Sequence, residues 1–321
     1  MRQVFKHSVA MLFACVAFVS GTVCAQSYPS RPITIVVPYG PGSGNDLIAR
    51  EIAQRLAGIL NITVLVENKA GATGNIATDY VAQQKPDGYT IFLTSTSGII
   101  NQVSNPAVKT DLSKDFESIG FAAGLPYVVA VPPTVAAKSL SELVALAKAN
   151  PGKLNYNGPA GSVSDYLGSM LKAAGNLDMV MIPYKSTSDA QVDVLAGRIQ
   201  VWFTTAPSAI GLAESGKVRV LAVTGDKRIA KVPDVPTVKE AGIPKMFTEV
   251  SFFFVAPAGT PKDVVTKLNA AITTALKSKE TEDRLANISV QTKIGTPGEV
   301  LAHIKQEMAK WSEVVKAVPK P

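Results

Sequence analysis

The chain alternates short runs rich in Val and Ile with longer stretches whose apolar residues recur every three or four positions. Ile33 to Val37 reads as a buried strand, and Leu47, Ile48, Ile52, Leu56 and Ile59 then fall at helical spacing. Thr63 to Glu67 and Thr90 to Thr94 are the next expected strands, with a helix from Ile76 to Gln84 between them. Further strands are expected at Val128 to Val131, Leu154 to Asn157, Met179 to Tyr184, Ile199 to Phe203 and Val218 to Val223. Strand, helix, strand repeats of this kind predict an α/β fold of parallel sheets covered by helices. Ser139 to Glu142 has the form of a capping box, and Thr260-Pro261 and Thr296-Pro297 each place a cap before a proline at the first helical position.

Two apolar segments stand apart from this alternation. One runs from Ile119 to Val131, broken by Gly124 and Pro126, and the other from Val250 to Val255. Side by side they would carry the chain between two domains. The expected organisation is therefore a discontinuous first domain, 26–125 plus 250–321, with a second domain, 126–249, inserted into it.

The start of the chain is of another kind. Arg2 and Lys6 precede an apolar run from Val9 to Val19, and Val23-Cys24-Ala25 offers small residues where a signal peptidase reads. A signal peptide over 1–25, cleavage after Ala25 and export to the periplasm are expected. Leu12 to Cys15 imitates a lipidation site but lies inside the apolar run, and no later stretch approaches the roughly 20 apolar residues of a membrane span. Both cysteines, Cys15 and Cys24, fall within the signal, which removes disulfides, thiolate metal sites and cysteine nucleophiles from the mature chain. His303 is the one histidine left once His7 is gone, and it is expected on a solvated helix face. The expectation is a protein that is not an enzyme, with no metal and no cofactor. The net charge of +7 is spread among acidic residues without a basic stripe, so no nucleic-acid partner is expected.

Candidate chemistry lies in four small, polar, glycine-rich turns after expected strands: Tyr39 to Asp46, Gly71 to Asn75, Thr94 to Gly98 and Gly158 to Ser164. Such turns leave backbone N–H groups uncovered at positive helix ends, which suits an anion. The first is no Walker loop, and Asn45 stands where a dinucleotide fingerprint needs its third glycine. The candidate ligand-binding residues are Tyr39, Gly42, Ser43, Asp46, Thr73, Gly74, Thr96, Ser97, Ala160, Gly161, Ser162, Tyr166, Lys185 and Thr205. With few cations nearby, N–H groups and hydroxyls would hold a carboxylate. Tyr39, Tyr166 and Trp202 add aromatic character and suggest an aromatic or apolar-bodied acid.

Read in order, several segments resemble the Bug or TctC family of periplasmic receptors for tripartite tricarboxylate transporters. They include Tyr28 to Ile33, Val37-Pro38 with its glycine turn leading to Asp46 and Arg50, and Glu67-Asn68-Lys69 with Gly71 and Gly74. Pro86 to Thr90, Pro183-Tyr184-Lys185, Gly216 to Arg219 with Leu221 to Thr224, Val235 to Thr237 with Glu240 to Gly242, and Ala256 to Pro261 continue the series. The resemblance implies a Venus flytrap of two α/β domains joined by two crossing strands, type II-like, with a small carboxylate between them. It implies as partners the membrane subunits of such a transporter, and the receptor itself is expected to be a monomer. Ser43, Ser186, Tyr166, Thr204-Thr205 and Phe252 depart from the family's usual Gly, Gly, His, Asp and Trp, which bears on the ligand rather than the fold. A sensing partner of a membrane signalling protein would share this fold. A serine hydrolase using Ser162 or Ser164 with Lys185 would lack both the Gly-x-Ser-x-Gly turn and an activating histidine.

Overall fold

The computed structural model describes residues 28–158, 162–184, 190–288 and 290–317. The expected signal peptide and the candidate residues Ala160, Gly161 and Lys185 lie outside the described residues.

The first expected strands and helices form as a βαβ series. They are β1 (Ile33–Val37), α1 (Gly44–Leu60), β2 (Val64–Asn68), α2 (Asn75–Ala82), β3 (Thr90–Ser95) and α3 (Thr96–Ser104). After β4 (Phe116–Val131) come α4 (Leu140–Ala149), β5 (Asn155–Gly158), α5 (Val163–Gly175), β6 (Val180–Pro183) and α6 (Gln191–Leu195). Then follow β7 (Trp202–Thr205), α7 (Ala206–Glu214), β8 (Arg219–Val223), β9 (Glu249–Pro257), α8 (Lys262–Leu276), α9 (Lys279–Asn287), β10 (Gln291–Thr292) and α10 (Pro297–Ala317).

β1 lies between β2 and β3, parallel to both, with Ile35 opposite Val66 on one side and Ile91 on the other. β9 joins β3 antiparallel, with Phe92 opposite Val255. It also pairs with β4 from Phe116 opposite Pro257 to Pro126 opposite Glu249. Beyond Pro126, β4 changes partners: Tyr127 faces Thr205 of β7, and Val128 faces Thr204 of β7 and Val223 of β8. One 16-residue strand thus serves two sets of neighbours, and the two apolar segments singled out above run side by side as β4 and β9. β5 and β6 form a separate parallel pair.

Two apolar clusters follow this division. Val36, Phe92, Phe116, Phe253 and Val255 pack with Val300 and Ile304 of α10. Val128, Ala130, Trp202, Ile210 and Val223 pack with α6. The described chain from Arg31 onward is nonetheless one compact unit. Thr224 is the tie where the partners change, fully buried beside both crossing strands. Its hydroxyl accepts from the Tyr127 N–H at 2.9 Å and donates to the Thr248 carbonyl at 2.5 Å. Its own N–H donates to the Tyr127 carbonyl, and its carbonyl accepts from Thr248.

Three local expectations differ from what forms. The strand expected at Ile199 to Phe203 begins only at Trp202, because the Gln200 and Val201 N–H groups both turn to the Asn155 carbonyl. Thr260 does not cap α8: its hydroxyl bends back to the Pro257 carbonyl at 2.7 Å, and the helix starts after Pro261. At Thr296 the cap does form, with the Thr296 and Glu299 N–H groups bonded to one another's side chains. His303 is not on a solvated face. Its ring packs edge-on to Phe121 at 5.3 Å and Phe253 at 6.3 Å, and its Nε2 is buried without a partner. The apolar stripe of α10 is wide enough to take position 303 with Val300 and Ile304, which a count of polar residues overlooks.

Candidate ligand-binding site

The turn after β1 is built by one carboxylate. Ser43 sits at the N-cap of α1 and its hydroxyl accepts from the Asp46 N–H at 3.3 Å. Asp46, 2% exposed, bends back to accept from the Gly42 N–H at 2.9 Å, Arg50 Nε at 3.0 Å and Asn68 Nδ2 at 2.9 Å. Burial by itself would raise this carboxyl, but those bonds and the Arg50 charge outweigh it and hold Asp46 below the ordinary value. Gly42 needs its φ of +80°, where a side chain would be strained. With Asp46 occupied, the first-turn N–H groups of Gly44 and Asn45 are the donors of α1 that no intrahelical carbonyl reaches. Asp46 therefore shapes the turn, and the donors it leaves open belong to the backbone.

Two further turns close on the same place. Gly74 packs so tightly that a Cβ would stand 3.0 Å from the Pro38 ring and 3.8 Å from the Tyr39 hydroxyl. Ala72 and Thr73 before it both hold left-handed φ, +46° and +54°, which is strained for a β-branched residue. Burial raises the Tyr39 phenol, partly offset by the Ser97 side chain beside its hydroxyl. Tyr39, Gly74 and Ser97, from three different turns, thus meet. Thr96 is fully buried and accepts from the Ser251 N–H of β9 at 3.0 Å, so it fixes α3 against the crossing strand.

On the other side of the strand crossing, Ser162 repeats the role of Ser43. It caps α5, and its hydroxyl accepts from the Asp165 N–H at 3.3 Å, the same offset and the same Ser-x-x-Asp order as at α1. Thr205 ends β7 at the N-cap of α7, its hydroxyl 3.0 Å from that of Ser208. Tyr166 is 4% exposed; its ring stacks obliquely on Trp311 of α10 at 5.3 Å, with Ser104 beside its hydroxyl. Trp202 is fully buried within an apolar cluster. Of the three aromatics considered for ligand stacking, Tyr39 alone keeps partial exposure.

The cations near the first turns are engaged. Arg50 pairs with Asp46 and reaches Asn68 Oδ1 at 3.2 Å, and Lys69 pairs with Glu67 at 2.7 Å over the Tyr80 ring. Asn68 was not singled out from sequence as a site residue. Its amide nonetheless holds both Asp46 and the Tyr39 carbonyl, and its place directly after a strand was the available signal. Among the described residues no cluster of His, Cys, Asp or Glu is arranged to hold a metal ion, and no helix is long and apolar enough to cross a membrane. Glycine turns, capped helix starts and buried hydroxyls can hold an anion.

The fold is shared with solved periplasmic binding proteins. The periplasmic binding protein BugD matches with 31% identity over 90% of this chain and 98% of its own, with a TM-score of 0.78. Rpa4515 of R. palustris, solved with adipate, is 32% identical over 90% and 97% of the two chains, TM-score 0.81. MatC of Rhodopseudomonas palustris, solved with malate, is 28% identical over 90% and 100%, TM-score 0.78. BugT of Bordetella pertussis is 32% identical over 96% of both chains. The class is a periplasmic solute-binding receptor rather than an enzyme. Residues 48–319 match the profile of the tripartite tricarboxylate transporter family receptor, TctC, and the chain belongs to that family.

Proposed function

We propose that this receptor captures a small aliphatic dicarboxylate between two lobes, 26–125 plus 250–321 and 126–249, and delivers it to the membrane subunits of a tripartite tricarboxylate transporter. The observation that carries this reading is the matched pair of helix starts at Ser43 and Ser162, one on each side of the crossing strands, each with its serine cap and Asp three residues on. An anion at such a start is held by N–H groups without a fixed cation. Two related proteins solved with small acids, one with malate and one with adipate, support a dicarboxylate. The burial of Trp202 and the packing of Tyr166 on Trp311 favour an aliphatic acid over the aromatic one considered from sequence.

In this reading the backbone N–H groups of Gly44 and Asn45 act with a ligand set of Tyr39, Gly42, Ser43, Thr73, Gly74, Ser97, Ser162 and Thr205, joined by Ala160, Gly161 and Lys185. Asp46, Thr96 and Tyr166 act by shaping the turns that carry them. Hinge closure around the acid would present the surface that the membrane subunits read. The chain acts as an exported monomer cleaved after Ala25, which the intact mass of protein from a periplasmic extract tests.

The deciding experiment is a thermal-shift and calorimetry panel of aliphatic and aromatic mono- and dicarboxylates, with mass spectrometry of what leaves with gently purified protein. Stabilisation by aliphatic diacids is expected. Binding of aromatic acids alone, or of no carboxylate, would overturn the reading.

A further inference from the structure

The two sides of the molecule meet at a side chain that sequence analysis passed over. Tyr127 is the first residue of β4 past the change of partners, and it stands opposite Thr205 in the antiparallel pairing with β7. Directly opposed residues of such a pair share a face, so the Tyr127 phenol stands over the same face as the Thr205 hydroxyl. Its neighbour Val128 points the other way, into the apolar cluster around Trp202. On the opposite flank lies the β1 turn, and the phenols of Tyr127 and Tyr39 are close enough for the charge of one to disfavour the charge of the other.

The mounting is rigid. Both the N–H and the carbonyl of Tyr127 are bound by Thr224, which is itself tied to Thr248. The residue is 7% exposed, and among the described residues no hydrogen bond engages its hydroxyl. A phenol more than nine-tenths buried and left without a partner among the described residues is a donor available to a ligand. Burial also keeps both phenols neutral, so each remains a donor.

We propose that Tyr127 is a ligand-contacting residue at the floor of the cleft, donating its hydroxyl to the second carboxylate of the bound acid and so selecting dicarboxylates over monocarboxylates. The inference rests on the carboxylate reading above. One carboxylate takes the helix-start N–H groups of Gly44 and Asn45; the other end of the ligand meets hydroxyls. A methyl group arriving there would bury the phenol donor unpaired. Sites built to bond a polar group reject analogues that lack it far more strongly than apolar pockets reject a size change.

The test is calorimetry of wild type and Tyr127→Phe with unbranched dicarboxylates of four to six carbons and monocarboxylates of equal length. Phe keeps the ring and removes the hydroxyl alone. The expected result is a Kd for the best dicarboxylate raised about tenfold to a hundredfold in the variant, with monocarboxylate affinity raised because the donor it would strand is gone, and the ligand-free melting temperature unchanged. In wild type labelled on tyrosine rings, the resonance that the variant lacks should shift on adding the diacid. Wild-type diacid binding that Tyr127→Phe retains at full strength overturns the proposal, as does an equal loss for both acid classes. A wild type that binds none of these acids instead refutes the carboxylate reading, so the two failures are distinct.

Discussion

Asp46→Asn tests whether one buried carboxylate organises the first turn. In wild type Oδ2 accepts from the Gly42 N–H, while Oδ1 accepts from Arg50 and Asn68. An amide has only one acceptor oxygen. If that oxygen keeps Arg50 and Asn68, the new NH2 faces the Gly42 N–H; if it turns to Gly42, the NH2 faces two donors. Either way a buried donor is left unpaired, which costs about 1–3 kcal/mol, and the remaining bonds lose their charge assistance. The sum is a destabilisation of about 2–3 kcal/mol, or a melting temperature lower by roughly 3–5 °C for a chain of this size. The exposed Arg50 end of the pair adds little. The pH dependence carries a sign. Because the folded state holds Asp46 below its ordinary value, its contribution is fully present above about pH 4 and is lost as the pH falls through the lower folded value. Urea unfolding at pH 7 and pH 3 measures both effects, and the variant should lose less stability than wild type between them. A change under about 0.5 kcal/mol at pH 7, or the same loss with and without Asn68→Ala, would refute the network.

Three further outcomes follow from single buried atoms. Thr204 is fully buried with its hydroxyl unpartnered, so the isosteric Thr204→Val should stabilise by about 1 kcal/mol, and a lower urea midpoint would contradict this. Thr224→Val strands the Tyr127 N–H and should cost about 2–3 kcal/mol, whereas Thr224→Ser should cost under about 1; equal effects in denaturant titrations would remove Thr224 from its role. Burial between two phenylalanines, with the Lys293 and Lys310 charges against it and Glu307 opposing, lowers His303 to about 4. The unfolded chain then takes up this proton first as acid is added. Stability should fall by on the order of 1 kcal/mol from pH 6.5 to pH 5, and His303→Phe should abolish that part of the slope; an unchanged slope between those pH values would refute it.

The apolar patterns that placed the strands also foresaw the pairing of β4 with β9, because a strand buried on both faces reads as an unbroken apolar run. That a helix begins directly after the first glycine turn was legible too; the caps at Ser43 and Ser162 were not, and neither was the direction of a side chain. Tyr166 and Trp202 read as aromatics near strand ends, yet Tyr166 is buried by Trp311 of α10, far along the chain, and Trp202 by side chains of β4, α6 and β8. Tyr127 sits in the apolar stretch from Ile119 to Val131, which reads as plain core, and only its register against Thr205 sets it apart. Asn68 acts through Asp46, 22 positions away in the chain.

The path of β4 and β9 also fixes an order of events on the ribosome. β3 meets β9 along one edge, and β4 meets it along another, but β9 emerges more than a hundred residues after either begins. Until then both edges have open backbone groups, while β4, β7 and β8 can already pair among themselves. The set of β4, β7 and β8 is therefore able to pair before β9 arrives. The β3 edge beside the β1 turn must wait for β9, a long-range closure that makes this part of the sheet the slower to form.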